Sequence, residues 1–330
     1  MEEFIDEDLL GICIPTFNRA EYLDVCLDSI VNAISKINFP IYISDNASTD
    51  GTEGVISEYK KRYHRIVHVR NETNRGLYRN ILNVIKLAKT EYIWLMGDDD
   101  AIKEDSIDII ISNLKKGYDY IIVNSTPYDE KLEKAKPDKV ITCKNNKVYR
   151  RGESGNLLVD LKKWAYHGFI SSMIVRTSII QELIPKYENK NFVLYNNIWT
   201  PLAMFYEAFK DYEGLFLCDP IVKNRDNPRP SGKDAWNYFY IDRIKVMEYL
   251  GSIGYDYKLL RRALDFKISS AIFFAIMSKT MRPGIILFNE SIKEDRMIPY
   301  RIKCVIFLID RVPLLLLKKF RDIIDRLREA

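Results

Sequence analysis

The sequence contains few cysteines, no long hydrophobic run and little net charge, and each shortage excludes a class of protein. Its five cysteines are scattered, odd in number and form no C-x-x-C pair, which favours a reducing compartment over a disulfide framework or a zinc site. No apolar run approaches the roughly 18 uninterrupted residues that a membrane-spanning helix needs. A net charge of +4 is too small to indicate a nucleic-acid partner.

The N-terminal residues and the overall composition are those of an ordinary soluble protein. Met1–Phe4 is acidic and lacks the basic region and apolar core that begin a secretory signal. Hydrophobic residues make up 47% and charged residues 29% of the chain, as in typical globular domains. We therefore expect a cytoplasmic protein.

The most informative stretch is a short apolar run that ends in three carboxylates. Tyr92–Met96 is apolar and is followed by Gly97 and then by Asp98–Asp100. The apolar part predicts a strand buried in a parallel sheet, and the aspartates must follow its end because unpaired buried charge is costly. Open α/β sheets bind ligands at that edge. Adjacent carboxylates favour a cation, and oxygen ligands suit Mg²⁺ or Mn²⁺; the alternative is a solvated acidic turn.

Strands and helices alternate along the first part of the sequence. Apolar runs predict strands over 9–15, 41–44, 66–69, 92–96 and 120–123, and helical spacing predicts helices over 21–34, around 55–59, and over 78–88 and 106–114. The alternation predicts an α/β fold, with a mostly parallel sheet and helices on both faces. The polar loops after the first, second and fourth strands would then converge on one crevice.

The second half of the sequence is less regular. We predict a meandering connection over 126–160, a strand over 169–175, a helix over 192–209 and a final edge strand over 215–222. The composition changes near Asp234, which predicts a boundary between a main domain, residues 1–233, and a helical C-terminal region, residues 234–330.

Four polar stretches resemble the motifs of family 2 glycosyltransferases in their order and spacing. They are Ile14–Arg19, Ser44–Thr52, Asn74–Gly76 with Asn80, and Asp98–Asp100. The resemblance extends over residues 9–125 and, less closely, over 165–231. It implies the GT-A fold, transfer of a sugar from a nucleotide-diphosphate donor with inversion at the anomeric carbon, and a divalent cation, Mn²⁺ or Mg²⁺. The second and fourth motifs look like those of enzymes that build bacterial surface polysaccharides.

The resemblance also implies which residues bind the donor. Pro15 and Phe17 would line the nucleoside pocket, and Asp45 would accept a hydrogen bond from the base. The alternative for Asp45 is an Asx-turn or a helix N-cap, which Ser-Asp-Asn sequences commonly form. Arg75 resembles a basic position that approaches the nucleotide, with a surface salt bridge as the alternative.

The acidic cluster would hold the metal. Asp99 matches the metal-binding carboxylate of the family, Asp98 would face the ribose or the metal, and Asp100 would face the donor sugar or the acceptor. Many members of the family have an aspartate two places before Asp99, where this chain has Gly97. Which pair of carboxylates chelates the cation is therefore open.

The catalytic base is the main departure from the family pattern. Inverting transfer needs a group that takes the proton of the acceptor hydroxyl, and the family supplies an acidic residue at the start of a later helix. The corresponding position here is Asn197, whose amide is not a base at neutral pH. The alternatives are Glu188 or Asp211 in a shifted register, the cluster residue Asp100, and His167, whose ordinary pKa suits proton transfer.

Two basic segments have a functional and a structural interpretation. Arg225, with Arg229 and Lys233 on the same Pro/Gly-containing loop, resembles a lid whose cations cover the diphosphate, since arginine binds phosphate oxygens with two parallel donors; a solvated basic loop is the alternative. Apolar runs flanked by cations in the region 301–321 suit helices that lie on an anionic inner-leaflet membrane surface. They could equally form a helical cap or a dimer surface.

These features together predict an inverting glycosyltransferase that adds a sugar to a glycan acceptor, carried on a polyprenyl lipid, at the cytoplasmic face of the membrane. A sugar nucleotidyltransferase is one alternative, but it needs a glycine-rich basic loop after the first strand, which Ile14–Asn18 is not. A non-catalytic GT-A-like binding subunit is the other, and only Asn197 supports it.

Overall fold

The computed structural model describes residues 7–34, 38–136, 143–161, 169–195, 197–226, 241–264, 275–276, 298 and 300–319. The chain divides into two compact units. The first contains Met1–Asn196 and Thr200–Asn227, and the second contains Asn197–Trp199 and Pro228–Ala330. The division into domains 1–233 and 234–330 stays a prediction.

The first unit contains a central sheet and the helices that cover it. Its strands are β1 Leu10–Thr16, β2 Ile41–Asp45, β3 Ile66–Arg70, β4 Tyr92–Leu95, β5 Ala101–Ile102, β6 Tyr120–Tyr128, β7 Lys147–Tyr149, β8 Met173–Arg176 and β9 Gly214–Arg225. Its helices are α1 Ala20–Ala33, α2 Thr52–Arg62, α3 Leu77–Leu87, α4 Ser106–Leu114, α5 Ser154–Asp160, α6 Thr177–Glu188 and α7 Thr200–Phe209.

The strand order in this sheet is β3-β2-β1-β4-β8-β6-β9-β5, with β7 paired to β9. The first four strands in that order are mutually parallel, as are β6 and β9. Strand β8 is antiparallel to both of its neighbours, β4 and β6. Because β1, β2 and β4 run in the same direction and lie side by side, the loops that follow them meet at one edge of the sheet.

The apolar sequence of the central strands accounts for their position. All seven residues of β1 and all four of β4 are buried, as expected of strands covered on both faces. Helix α1 buries Leu23, Leu27 and Ile30, which lie on one side because they are spaced by three or four residues. The same apolar core includes side chains from both parallel strands and α1.

The predicted helix over 192–209 was wrong at its start. The helix, α7, begins only at Thr200, and residues 191–195 form turns. Pro201 is the second residue of α7, and proline suits the first turn of a helix because the amide hydrogen that it lacks has no partner there. Helices α5 and α6 were not predicted.

The two late strands also differ from their predictions. The strand expected over 169–175 begins at Met173, after a single 3₁₀ turn at Ile170–Ser172. The expected edge strand over 215–222 is the twelve-residue β9, which lies between β6 and β5 and so is not at an edge. The register of β9 on β6 shifts around Asn124. Because of this irregularity, the one long strand appears in the sequence as two short apolar runs.

One cysteine pair corrects the expectation that no disulfide forms. Cys143 and Cys218 are joined by a disulfide, with their Cα atoms 5.7 Å apart. Strand β7 pairs with β9 so that Lys147 lies opposite Phe216, which brings the two cysteines together across 75 residues of sequence. No apolar run or alternation predicted β7, so the proximity of the two cysteines was not predictable from the sequence. Cys13, Cys26 and Cys304 are free.

The second unit is helical where the structure describes it. It contains α8 Asp242–Ser252, α9 Tyr257–Leu264 and α10 Tyr300–Arg311. Arg243 donates to the carbonyl oxygens of Ala263 and Leu264 at 2.9 and 3.2 Å, which satisfies acceptors at the end of α9. Among the described residues, no helix has the length and apolar character needed to cross a membrane.

Candidate active site

The loops after β1, β2 and β4 surround a cavity of about 500 Å³ within the first unit. Six of the residues singled out in the sequence lie on its wall, namely Pro15, Phe17, Asp98, Asp99, Asp100 and Arg225. The wall also includes Thr16, Arg19, Asn46, Asn74, Gly76, Leu77, Asn80, Gly97, Phe169, Ile170 and Asn224. The three aspartates therefore lie together at the carboxyl edge of the parallel strands.

The turn after β4 depends on a glycine. A Cβ atom at Gly97 would lie 3.0 Å from Asp99 Oδ1 and 3.2 Å from both Asp100 Oδ2 and Ser171 Oγ, closer than side chains normally pack. The Gly97 amide donates to Ser171 Oγ at 2.8 Å. An aspartate at this position, as in many family 2 sequences, would have to displace the carboxylates that follow it.

Asp98 is buried and held by two donors. Thr16 Oγ1 donates to its Oδ2 at 2.7 Å, and Arg19 Nη1 donates to its Oδ1 at 3.1 Å. Burial, and then the charge of Asp99, raise the pKa of Asp98 to about 6, although Arg19 and the threonine hydroxyl oppose the shift. The carboxylate is thus poised to lose its proton just below neutral pH.

Asp99 is the most exposed of the three carboxylates, with 20% of its side chain accessible against 8% for Asp98. Its Oδ2 lies 2.8 Å from the same Arg19 nitrogen that contacts Asp98. One oxygen of each aspartate thus converges on a single cationic nitrogen. Arg19 ends the first motif, two residues after Phe17, but no role was predicted for it from the sequence.

The carboxylates of Asp98 and Asp99 suit a divalent cation that takes its remaining ligands from outside the protein. Within the described part of the chain, no group of three or more histidine, cysteine or acidic side chains is placed to hold a metal ion. Mg²⁺ commonly takes one or two carboxylates and completes its shell with water and phosphate oxygens. The paired oxygens of Asp98 and Asp99, which already surround a positive charge, suit that arrangement.

The Asp100 side chain is buried and links several residues of the cavity wall by hydrogen bonds. Its Oδ2 accepts from Ser171 Oγ at 2.5 Å, and its Oδ1 accepts from the Arg225 amide at 3.0 Å and from Asn224 Nδ2 at 3.3 Å. Burial and the neighbouring charge of Asp99 raise the pKa of Asp100. Because both oxygens already have donors, the carboxylate joins the ends of β4 and β9. Ser171 and Asn224 were not recognised in the sequence.

Arg225 is buried at the end of β9. Its Nε donates to the Asp99 carbonyl at 2.8 Å, its Nη1 donates to the Glu130 carbonyl, and its guanidinium carbon is 4.6 Å from the centre of the Tyr22 ring. The predicted cation is therefore fixed on the wall of the cavity. Its predicted partners Arg229 and Lys233, and the candidate base His167, lie outside the described residues.

Asp45 makes one local hydrogen bond through one of its carboxylate oxygens. Its Oδ1 accepts from the Ser48 amide at 2.9 Å, a local contact within the loop after β2. Its Oδ2 is buried without a hydrogen-bond partner in the described structure, and the nearest cation, Arg70 Nε, is 3.7 Å away. A buried carboxylate oxygen left without a donor is costly, but Asp45 is fully buried and is not among the residues that line the cavity.

Two other predicted residues, Arg75 and Asn197, make contacts of their own. Arg75 donates through its amide to Asn46 Oδ1 at 2.9 Å, but its side chain lines a different cavity. Asn197 lies in the second unit, where its carboxamide donates to the Asp242 carbonyl at 2.9 Å and accepts from the Trp199 amide at 2.8 Å. Its side chain therefore stabilises a turn.

Comparison with protein families gives a match over residues 11–184, more than half of the chain, to the family described as Glycosyl transferase family 2. The chain belongs to glycosyl transferase family 2. The predicted resemblance is thereby confirmed.

Two curated relatives match parts of the chain. Abequosyltransferase RfbV of Salmonella typhimurium is 45% identical over 104 residues, which are 31% of this chain and 31% of that protein. A poly(ribitol-phosphate) beta-glucosyltransferase of Bacillus spizizenii is 34% identical over 122 residues, 32% of this chain and 19% of that one. The chain thus spans a third or less of the length of these relatives.

A solved structure resembles the whole chain. The crystal structure of S. aureus TarS residues 1–349 in complex with UDP matches with a TM-score of 0.65 over 97% of this chain and 91% of that one, at 14% identity. At that identity the likeness establishes the fold alone. It confirms the predicted GT-A fold of this family 2 chain, with its C-terminal helices.

Proposed function

We propose that the protein is an inverting glycosyltransferase that moves a sugar from a nucleotide-diphosphate donor to a glycan acceptor in bacterial cell-surface polysaccharide synthesis. The observation that supports this most is the cavity at the ends of β1, β2 and β4, where oxygens of Asp98 and Asp99 converge on one positive charge. The names of the two curated relatives, both glycosyltransferases, agree with it.

Two residues on the cavity wall and one buried carboxylate, which is not itself part of the cavity lining, would hold the donor. Pro15 and Phe17 form an apolar patch on the wall, and 38% of Phe17 is exposed, so its ring is available to a base. Asp45 Oδ2, which lacks a donor among the described residues, would accept the N3–H of a uracil or thymine. The UDP bound to the TarS structure agrees with a uridine carrier.

Asp98 and Asp99 would hold a divalent cation, Mn²⁺ or Mg²⁺. When bound there, such a cation neutralises charge on the departing nucleoside diphosphate. A side chain at Gly97 would crowd the oxygens of Asp99, Asp100 and Ser171, which favours this pair over the spacing that other family members use. Arg225 adds a fixed positive charge on the same wall.

The proton of the acceptor hydroxyl would pass to one of the candidate bases. Two of these candidates have cationic neighbours: Glu188 pairs with Lys86 at 2.5 Å, and Asp211 lies 3.9 Å from Lys210. Asn197 is an amide whose donor and acceptor are both engaged. Asp100 has a raised pKa, which suits a base, but both of its oxygens already accept hydrogen bonds. We therefore favour His167. Replacing His167 with alanine should abolish transfer but spare slow donor hydrolysis, and an unchanged transfer rate in that variant would exclude it.

The C-terminal region would bring the enzyme to a lipid-linked acceptor on an anionic membrane surface. Leu308, Leu315 and Leu316 are 60%, 69% and 46% exposed, and exposed Arg311 and Lys318 lie in the same segment. Exposed apolar side chains beside cations suit an interfacial helix. The full chain should co-sediment with anionic but not with neutral liposomes, and equal partition would contradict the proposal.

Hydrolysis of a nucleotide sugar in the presence of Mn²⁺ tests the central proposal. A panel of UDP- and dTDP-sugars should include one that is hydrolysed by the protein, and Asp99→Ala should abolish that activity. Glu104→Ala, an exposed acidic residue beyond the cluster, is the matched control and should retain it. Release of pyrophosphate from a nucleoside triphosphate would favour a nucleotidyltransferase, and binding without any turnover would favour a binding subunit.

A further inference from the structure

A second cavity, of about 300 Å³, lies on the outer side of α3 in the first unit. Side chains of α3 and of the residues just before it form one wall, and the end of α6 with the following loop forms the other. The charged and aromatic members of the lining considered below are Arg75, Arg79, Lys86, Glu188, Lys190 and Tyr195.

The lining of this second cavity is strongly cationic. It contains four basic side chains and one acidic side chain, Glu188. Lys86 Nζ pairs with Glu188 Oε1 at 2.5 Å, so one positive charge is compensated. The side chains of Arg75, Arg79 and Lys190 have no acidic partner within the described ranges. Three uncompensated cations in a concave surface attract an anion.

The cavity is built on a rigid frame. The buried Tyr78 hydroxyl donates to the Tyr187 carbonyl at 2.5 Å and so joins α3 to α6. The Tyr187 hydroxyl in turn donates to Glu207 at 2.9 Å. The guanidinium carbon of Arg79 lies 5.0 Å from the centre of the Tyr195 ring. A stacked guanidinium keeps its N–H groups available, and their planar fork matches the oxygens of a phosphate.

The two cavities are adjacent, because neighbouring residues of a single segment, 74–79, contribute to the linings of both. Asn74, Gly76 and Leu77 line the first cavity, whereas Arg75, Tyr78 and Arg79 line the second. A ligand that reaches out of the first cavity over this segment would meet the cations of the second. A donor sugar and a neighbouring anionic group of the acceptor could thus be bound together.

We propose that the second cavity binds a phosphate group of the acceptor while the donor occupies the first cavity; this rests on the proposed glycosyltransferase function. The phosphate belongs either to the diphosphate that joins a glycan to a polyprenyl lipid or to a phosphodiester within the acceptor chain. Both present the same oxygens to Arg79 and Lys190.

Titration of phosphate compounds into the full chain tests the site. Geranyl diphosphate represents the lipid-linked source, and a trimer of glycerol phosphate represents the phosphodiester source. The binding of each compound is measured by isothermal titration at low ionic strength. Metal is left out because the carboxylates of Asp98 and Asp99 then repel phosphate from the first cavity. Arg79→Glu and Lys190→Glu are compared with Lys60→Glu, an exposed lysine on α2, after circular dichroism has shown that each variant is folded.

We expect at least one compound to bind the unaltered protein, and the tighter of the two identifies the source. Arg79→Glu should weaken binding at least tenfold and Lys190→Glu several-fold, while Lys60→Glu should leave it unchanged. Equal binding by the unaltered protein and both cavity variants, or no binding at all, would overturn the proposal.

Donor hydrolysis, measured on the same proteins, separates the two proposals. Arg79→Glu and Lys190→Glu should hydrolyse the donor at the unaltered rate, because neither residue lines the first cavity. Phosphate binding that depends on Arg79, in a protein that hydrolyses no donor, would support the phosphate site and refute the transferase. Donor hydrolysis without phosphate binding that depends on Arg79 would support the transferase and refute the phosphate site.

Discussion

Removing Arg19 should tighten the binding of Mn²⁺ to the nucleotide-free protein. The Arg19 guanidinium contacts Asp98 and Asp99 at 3.1 and 2.8 Å, so a cation that uses the same two oxygens must displace it. Hydrogen bonds to charged groups are worth about 1.5–3 kcal/mol when buried. Because 43% of the Arg19 side chain is exposed, solvent screening reduces this to about 1 kcal/mol. Arg19→Ala should therefore bind Mn²⁺ about fivefold more tightly.

The assay is isothermal titration of Mn²⁺ at pH 8. The pH matters because Arg19 lowers the pKa of Asp98, so its removal strengthens competition by protons near neutral pH. Arg62→Ala is the matched control, since Arg62 makes an exposed pair with Asp28 at 3.3 Å on another surface. The Mn²⁺ affinity of this variant should equal that of the unaltered protein. Unchanged or weaker Mn²⁺ binding by Arg19→Ala at pH 8 would refute the idea that the guanidinium and the metal share these oxygens.

Three further predictions concern the same turn. Asp98 must lose its proton to bind a cation, and because its pKa is about 6 its ionised fraction falls below that pH; Mn²⁺ affinity measured by titration should be about tenfold lower at pH 5 than at pH 7. Gly97→Ala, whose Cβ would crowd Asp99 Oδ1 at 3.0 Å, should lower Mn²⁺ affinity with little change in the midpoint of thermal unfolding. Ser171→Ala, which leaves the buried Asp100 carboxylate without one donor, should lower the free energy of unfolding in urea by about 2 kcal/mol.

Each of these predictions has a control and a contrary outcome. A carboxyl group with an ordinary pKa would give almost flat Mn²⁺ affinity between pH 5 and 7. Gly54→Ala, on α2 with no atom within 4 Å of the added Cβ, should leave metal affinity unchanged, and an equal loss in both glycine variants would contradict crowding at Gly97. Ser112→Ala, on an exposed face, should change the free energy of unfolding by less than about 0.5 kcal/mol. An equal loss in Ser112→Ala and Ser171→Ala would contradict the stabilising role assigned to the Ser171 hydroxyl.

The first half of the fold could be predicted from the sequence because its signals are local. Strands β1 to β4 are short apolar runs that end at polar turns, and helix α4 was expected at the residues where it occurs, Ser106–Leu114. Parallel strands place the loops that follow them at one edge, so the meeting of Asp98–Asp100 with Phe17 in one cavity followed from topology.

The remaining elements and contacts depend on residues far apart in the chain. Ser171 contacts Asp100 across 71 positions, and Arg225 does so across 125, which no local pattern indicates. Strand β7 has two exposed residues, so its sequence lacks the apolar run that would predict a strand. Arg75 lines the second cavity, whereas its neighbours Asn74 and Gly76 line the first, and no pattern in the sequence indicates that difference.

The contacts of Ser171 have a consequence for the energetics of ligand binding. Its hydroxyl group donates to Asp100 and accepts from the Gly97 amide, and its carbonyl accepts from the buried Trp94 indole at 2.8 Å. The turn that presents Asp98 and Asp99 is thus preorganised by three bonds to one residue. A ligand bound at this turn would lose little affinity to the ordering of the turn, so the charge and shape of the turn, rather than induced folding, would set which ligands bind.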